Sequence, residues 1–119
     1  MEGIMMDAKY LDIVLADLPK GRGHVQSGIR PVLVLSNSTA NKKSPIITIV
    51  PLTSQLKRLD LNTHVMIQGD GLRKPSIALI EQLMVIDKTC VKKKLGVLRN
   101  IQDCTKIKEA IVSHMMLAA

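Results

Sequence analysis

Aromatic side chains are almost missing. The chain of 119 residues has no Phe, no Trp and a single Tyr, Tyr10. Its core must be packed with Ile, Val, Leu and Met, and seven Met supply adaptable filler. The same lack removes the rings on which single-stranded nucleic acids are usually stacked. Cysteine is scarce too. Cys90 and Cys104 stand far apart and match no metal spacing, so they read as reduced, small apolar residues of a cytosolic protein. No His/Cys/Asp/Glu cluster has ligand spacing, and neither metal nor cofactor is expected. No apolar run approaches the length of a membrane span, and the short acidic start Met1–Asp7 is no signal peptide. A cytoplasmic protein without membrane contact is expected. Gly69-Asp70-Gly71 is too bare for a nucleotide loop.

Positive charge is plentiful. Lys and Arg number 17 against 10 Asp and Glu, a formal net charge of +7. That balance favours a polyanion or an acidic protein as partner, although a merely soluble basic protein would carry it as well. The length allows one domain. Residues 1–10 read as a flexible N-terminus and 11–119 as a single folded unit.

Short β-branched runs separated by turn residues dominate the first two thirds. Strands are predicted over Leu11–Leu18, Arg30–Asn37, Ile46–Thr53, Thr63–Ile67 and Ser76–Ile86, the last interrupted by Glu81-Gln82. Pro31 is expected at the first position of its strand, and Pro51 at an edge or bulge. Asp87 could cap a short helix over Lys88–Lys94, stopped by Gly96. Asn100, with Asp103 three residues on, resembles a capping box. The helix it opens would reach about Leu117, with Ile101, Cys104, Ile107, Ile111 and Met115 on one face. The pattern is mainly β (α+β): a small antiparallel barrel or sandwich closed by one C-terminal amphipathic helix.

The most informative stretch is Gly23-His24-Val25-Gln26-Ser27-Gly28-Ile29-Arg30-Pro31-Val32-Leu33-Val34-Leu35-Ser36-Asn37. A polar, glycine-bearing loop runs straight into a buried strand, and places an imidazole, an amide and a guanidinium within a few residues. Arg30 presents a planar fork suited to phosphate. On the residue alone, a guanidinium stabilising a phosphate and an arginine paired with a surface carboxylate are equally open. Thr53 and Ser54 end the third strand, where a hydroxyl can bond a phosphate oxygen or simply cap a turn. His24 carries an imidazole, a side chain able to take up and release a proton in catalysis, or is simply an exposed loop histidine. Glu81 is a carboxylate among apolar neighbours, either partnered or at the mouth of a site. His64 and His114 read as structural. The run Lys92–Lys94 reads as a solvated face.

The loop and strand resemble the G-H-E-Q-x-G-x-R-P-V-L-V-x-S/T-N signature of the MazF/PemK/Kid toxins. Further likenesses are Asp12-Ile13-Val14, Leu52-Thr53-Ser54, Glu81-Gln82 followed by Ile86-Asp87, and the Leu95-Gly96 before the last helix. Val25 stands where the family usually has Glu, Leu79 and Met84 where Kid-like members have Arg, and Leu11 where a glycine is common. The resemblance implies an SH3-like small β-barrel (CcdB/PemK-like). It implies the toxin of a type II toxin–antitoxin system, a metal-independent, sequence-specific endoribonuclease that cuts single-stranded RNA through its 2′-hydroxyl. Arg30, Thr53, His24 and Glu81 would be catalytic. Gln26, Ser27, Ser54, Lys57, Arg58, Arg73, Lys74 and Gln82 would contact RNA. A homodimer and an acidic antitoxin are the implied partners. The competing readings are a CcdB-like gyrase-poisoning module and an RNA-binding barrel whose catalysis was lost with Val25 and Leu79.

Overall fold

The strand that organises the sheet is the most β-branched run in the chain. The computed structural model describes residues 7–56, 58–69 and 71–116. Within them the order is β1 (Asp12–Leu18), β2 (Gly28–Val34), α1 (Ser38–Lys43), β3 (Ile46–Thr53), β4 (His64–Ile67), β5 (Ser76–Leu79), β6 (Met84–Asp87), β7 (Val91–Val97) and α2 (Ile101–Met116). The strands form one antiparallel sheet in the order β4-β5-β3-β2-β1-β7, with β6 also on β3. The sheet is not closed into a ring, so it is a barrel only loosely; the mainly β class with a C-terminal helix stands.

Both faces of the central strands are buried, which is why their sequences read as nearly continuous apolar runs. Ile13, Leu33, Val50 and Leu52 point to a core shared with Ile107 and Ala110 of α2. Their neighbours Val14, Val32, Val34, Ile47 and Ile49 point to the other face, where Ala8 and Ile86 join them. The alternation has a period of two, as pleating requires.

Several expectations from the sequence are corrected. β2 begins at Gly28, so Arg30 and Pro31 lie inside the strand, opposite Ala16 and Leu15 of β1, and Pro31 is not its first residue. Pro51, by contrast, does sit at an irregularity of the sheet: the β2 ladder ends there, and on the opposite edge of β3 the pairing passes with a register break from β6, up to Ile49, to β5, from Leu52. The expected fifth strand is two, because β5 and β6 pair with different parts of β3 and Ile80–Gln82 leaves the ladder as a 3₁₀ turn. The helix over Lys88–Lys94 does not form. Asp87 caps only a 3₁₀ turn, Lys88–Cys90, accepting from the Thr89 N–H at 2.9 Å, and that bond holds its carboxyl below the usual range. The chain then becomes β7, paired with β1, where Lys94 meets the buried Asp12 at 3.3 Å. On α2 the Asn100 cap holds, accepting from the Asp103 N–H at 2.9 Å, but Ile101 is 81% exposed and Met115 51% exposed, so the apolar face is shorter than its sequence pattern. Leu11, at the place where the resemblance expects a glycine, has φ +71°, a conformation that costs an L-residue about 1–2 kcal/mol.

The N-terminal side is fastened by Asn41, a buried amide. It donates to the carbonyls of Ala8 (2.9 Å) and Ser36 (3.1 Å) and accepts from the Ser36 hydroxyl at 2.5 Å. Asn41→Ala strands those groups without partners. The expected loss is about 2–3 kcal/mol, read as a lower urea midpoint with an unchanged slope.

Candidate active site

The site lies where β2 and β3 part. Their ladder runs Val34↔Ile49, Leu33↔Val50 and Val32↔Pro51, and ends there. Neither Pro31 nor Pro51 can donate a backbone hydrogen bond. Beyond that point β3 is paired only on its opposite edge, with β5, through Leu52↔Ala78 and Thr53↔Ile77. Extended by two places, the β2–β3 register would set Arg30 opposite Thr53, on the same sheet face. The gap left by the missing ladder is a cleft of about 290 Å³, lined by Gln26, Arg30, Pro31, Thr53, Ser54 and Gln55 over Leu52.

Arg30 is held by the loop that precedes its own strand. Its Nε donates to the Ser27 carbonyl at 3.0 Å, and its Nη1 donates to Gln26 Oε1 in a short contact. Both acceptors are neutral, and no carboxylate among the described residues pairs with Arg30. The surface ion pair that the residue alone left open is therefore absent there, and the charge faces the cleft uncompensated. Thr53 is buried, and its Oγ1 accepts the Gln55 N–H at 3.2 Å. That is a turn-type bond, and it leaves the hydroxyl proton available for an anion in the cleft.

A second cleft, of about 350 Å³, shares Pro31 and Ser54 with the first and adds Arg73 and Lys74. Among the described residues neither lining contains a carboxylate. Together they set Arg30, Arg73 and Lys74 along one surface with hydroxyls between them, an arrangement suited to successive phosphates. Gly71 brings this about. A Cβ there would stand 1.9 Å from the Leu95 carbonyl oxygen, and its φ is +90°.

The other expected site residues are placed differently. The loop turns at Arg22–Val25, with the Val25 N–H on the Arg22 carbonyl at 3.2 Å and Gly23 at φ +59°. His24 is exposed there and lines neither cleft. Val25 leans back over Gly21. Gln82 projects to this loop, accepting from the Gln26 N–H at 2.8 Å and donating to the His24 carbonyl at 3.1 Å. Glu81 faces elsewhere: its Oε1 meets His64 Nε2 at 2.5 Å and accepts from the Thr63 hydroxyl at 3.1 Å. Ser27 contributes its carbonyl, and Ser54 lines both clefts. Arg58 is exposed and ion-paired with Asp60 at 3.2 Å, which holds that carboxyl below its usual range and blunts the positive charge offered to a ligand. Lys57 lies outside the described residues. Leu79 is buried and Met84 packs on the core, so neither position presents charge.

His64, structural on its sequence, has a specific partner in the fold, Glu81. The signal was the hairpin: pairing Ile67 with Ser76 and counting outward sets His64 opposite Leu79, two residues before Glu81.

The two glycines yield a paired expectation. Gly71→Ala, which clashes as well as straining the backbone, should cost about 1–3 kcal/mol. Gly23→Ala meets nothing within 4 Å and should cost about 1 kcal/mol from its left-handed backbone alone. Denaturant unfolding of both variants checks the order.

Comparison with known proteins gives this geometry its context. Residues 9–115 match the model of the PemK-like, MazF-like toxins of type II toxin–antitoxin systems. The chain is 40% identical over 86 residues to the endoribonuclease MazF of Staphylococcus saprophyticus, covering 71% of this chain and 72% of that one. It superposes on MazF of Deinococcus radiodurans with a TM-score of 0.80 at 20% identity, over 93% of this chain and 98% of that chain. The MazE–MazF structure from the same organism gives 0.74 at 19% identity, over 93% and 97%. The extent of the family match, with the 40% identity to a curated relative, shows that this chain belongs to the PemK-like, MazF-like toxin family of type II toxin–antitoxin systems.

Proposed function

We propose that the chain is the endoribonuclease toxin of its pair, cutting single-stranded RNA in the cytoplasm without a metal ion. The observation that carries this reading is the guanidinium of Arg30, held on neutral oxygens beside the Thr53 hydroxyl in a cleft without carboxylates. In the reaction the RNA 2′-oxygen attacks the neighbouring phosphorus. The bond to the 5′-oxygen breaks, and a cyclic phosphate remains on the upstream fragment. Negative charge grows on the non-bridging oxygens, and a fixed cation and hydroxyl stabilise it as it grows. Arg30 and Thr53 take that role. A base removes the 2′ proton and an acid protonates the leaving oxygen. His24, on the loop beside the cleft, is the group proposed for proton transfer, because Glu81 is engaged by His64 and Thr63. Arg73, Lys74 and Ser54 bind flanking phosphates, with Gln26 and Ser27 holding Arg30. A gyrase-poisoning module has no use for this cleft.

The toxin acts as a homodimer, and an acidic antitoxin silences it. The relative from Deinococcus radiodurans was solved with MazE, and a net charge of +7 favours an acidic partner here. An acidic, partly disordered segment that folds along the clefts would pair its carboxylates with Arg30, Arg73 and Lys74.

Cleavage of labelled RNA should persist in excess EDTA. A single 2′-deoxy substitution at the scissile nucleotide should block it; normal cutting of that substrate excludes the mechanism. Arg30→Ala should lower the rate by at least about a hundredfold while the circular dichroism spectrum stays unchanged. The acidic segment of the antitoxin should inhibit in competition with RNA, and more weakly as salt rises.

A further inference from the structure

Gln82 makes no contact with the cleft, yet it touches the loop on which Arg30 depends. We infer that Gln82 is a positioning residue for the proposed cleavage: its amide clamps the backbone of residues 24–26 and so fixes the Gln26 and Ser27 oxygens that aim Arg30. It does not bind RNA. The inference rests on the function proposed above.

The clamp starts from a rigid base. Ile80 is fully buried and its N–H donates to the Thr63 carbonyl at 2.9 Å; the Leu83 N–H closes the 3₁₀ turn on the Ile80 carbonyl at 3.1 Å. At three residues per turn, successive side chains point roughly 120° apart. Glu81 and Gln82 thus leave the turn in different directions. Glu81 fastens the turn to β4 through His64, and Gln82 reaches across 56 residues of sequence to the loop.

The two bonds made by Gln82 skip one residue. Its Oε1 takes the N–H of Gln26 and its Nε2 gives to the carbonyl of His24. A neighbouring strand's peptide would satisfy an extended segment in the same way. The side chain supplies the ladder partner that the loop lacks. The chain of contacts then runs from Gln82 to the Gln26 backbone, from the Gln26 side chain to Arg30 Nη1, and from the Ser27 carbonyl to Arg30 Nε. The motif residue Gln26 occupies the middle of that chain. Its side-chain amide oxygen already accepts from Arg30, so its role too is to hold the guanidinium.

The requirement for an amide is strict. Both a donor and an acceptor are used, in fixed order. Gln82→Met keeps the shape and loses both bonds. Gln82→Glu keeps the acceptor and loses the donor. A guanidinium released from its proper position stabilises the transition state less, while substrate held by other phosphates binds as before, so kcat should suffer and KM should not.

The test compares wild type, Gln82→Met and Gln82→Glu in RNA cleavage, with amide hydrogen exchange read in parallel. Gln82→Met should lower kcat roughly ten- to a hundredfold with KM within about twofold. Gln82→Glu should fall between it and wild type. The Gln26 amide should exchange faster in Gln82→Met while the Val50 amide in the core stays protected. Added to Arg30→Lys, Gln82→Met should cost less than it does alone, because both act through one guanidinium. A raised KM with unchanged kcat would make Gln82 an RNA contact and overturn the inference, as would full additivity with Arg30→Lys. If Gln82→Met lowers the unfolding midpoint, Gln82→Glu decides, and an unchanged kcat in that variant overturns the clamp. Wild type that fails to cut RNA refutes the proposed function instead, and the Gln26 amide still reports whether the clamp exists.

Discussion

The molecule depends on hydrogen bonds that two neighbouring strands do not make. β2 and β3 carry prolines at the place where their ladder stops, and beyond it β3 is held only on its far edge, by β5. A gap between strands normally invites another strand to fill it. Here the gap is lined by a guanidinium, an amide and hydroxyls. The sheet supplies stiffness on both sides of the opening, because the residues just behind it, Val32, Leu33, Val50 and Leu52, are buried against two cores. The side chains facing the cleft therefore project from a base that resists displacement.

Charge is distributed with the same economy. Asp12 neutralises Lys94 and Asp60 neutralises Arg58, both away from the clefts. Glu81 is turned towards His64. Among the described residues no carboxylate lines the clefts with Arg30, Arg73 and Lys74, so the positive charge there is locally in excess. The absence of aromatic rings makes that electrostatic excess the principal grip available to an extended anion.

Much of this was legible in the residues. The run Ile46–Thr53 matched β3 at both ends, since β-branched residues and flanking turn signals agree there. The Asn100 cap placed the start of α2. The loop and its Arg–Pro step drew attention to the residues that line one cleft. Three features were hidden, for separate reasons. The cap residue Asp87 and the stop Gly96 suggested a short helix over Lys88–Lys94, whereas pairing with β1 and the buried Asp12 made most of it a strand; that is a tertiary contact overriding a local signal. The interruption at Glu81-Gln82 shows in the sequence as a polar pair, but that β5 and β6 then meet different parts of β3 depends on register, which sequence periodicity does not encode. The partner of Glu81 is His64 in another hairpin strand, a pairing visible only once register is known. Arg30 stands out in the sequence, but the oxygens that hold it, and the distant Gln82 bonded to the same loop, do not.

The pairing of β1 with β7 has a consequence in time. The first strand to be synthesised is completed by nearly the last, Asp12 meeting Val97, and one core is filled by Ile107 and Ala110 from the helix beyond. Contacts of such long sequence separation form late, because the loop between them must close first. A nascent chain on the ribosome can extend β2 and β3 but cannot bury the first core until α2 has emerged. A truncated product ending before residue 100 therefore lacks part of the core against which the cleft is built.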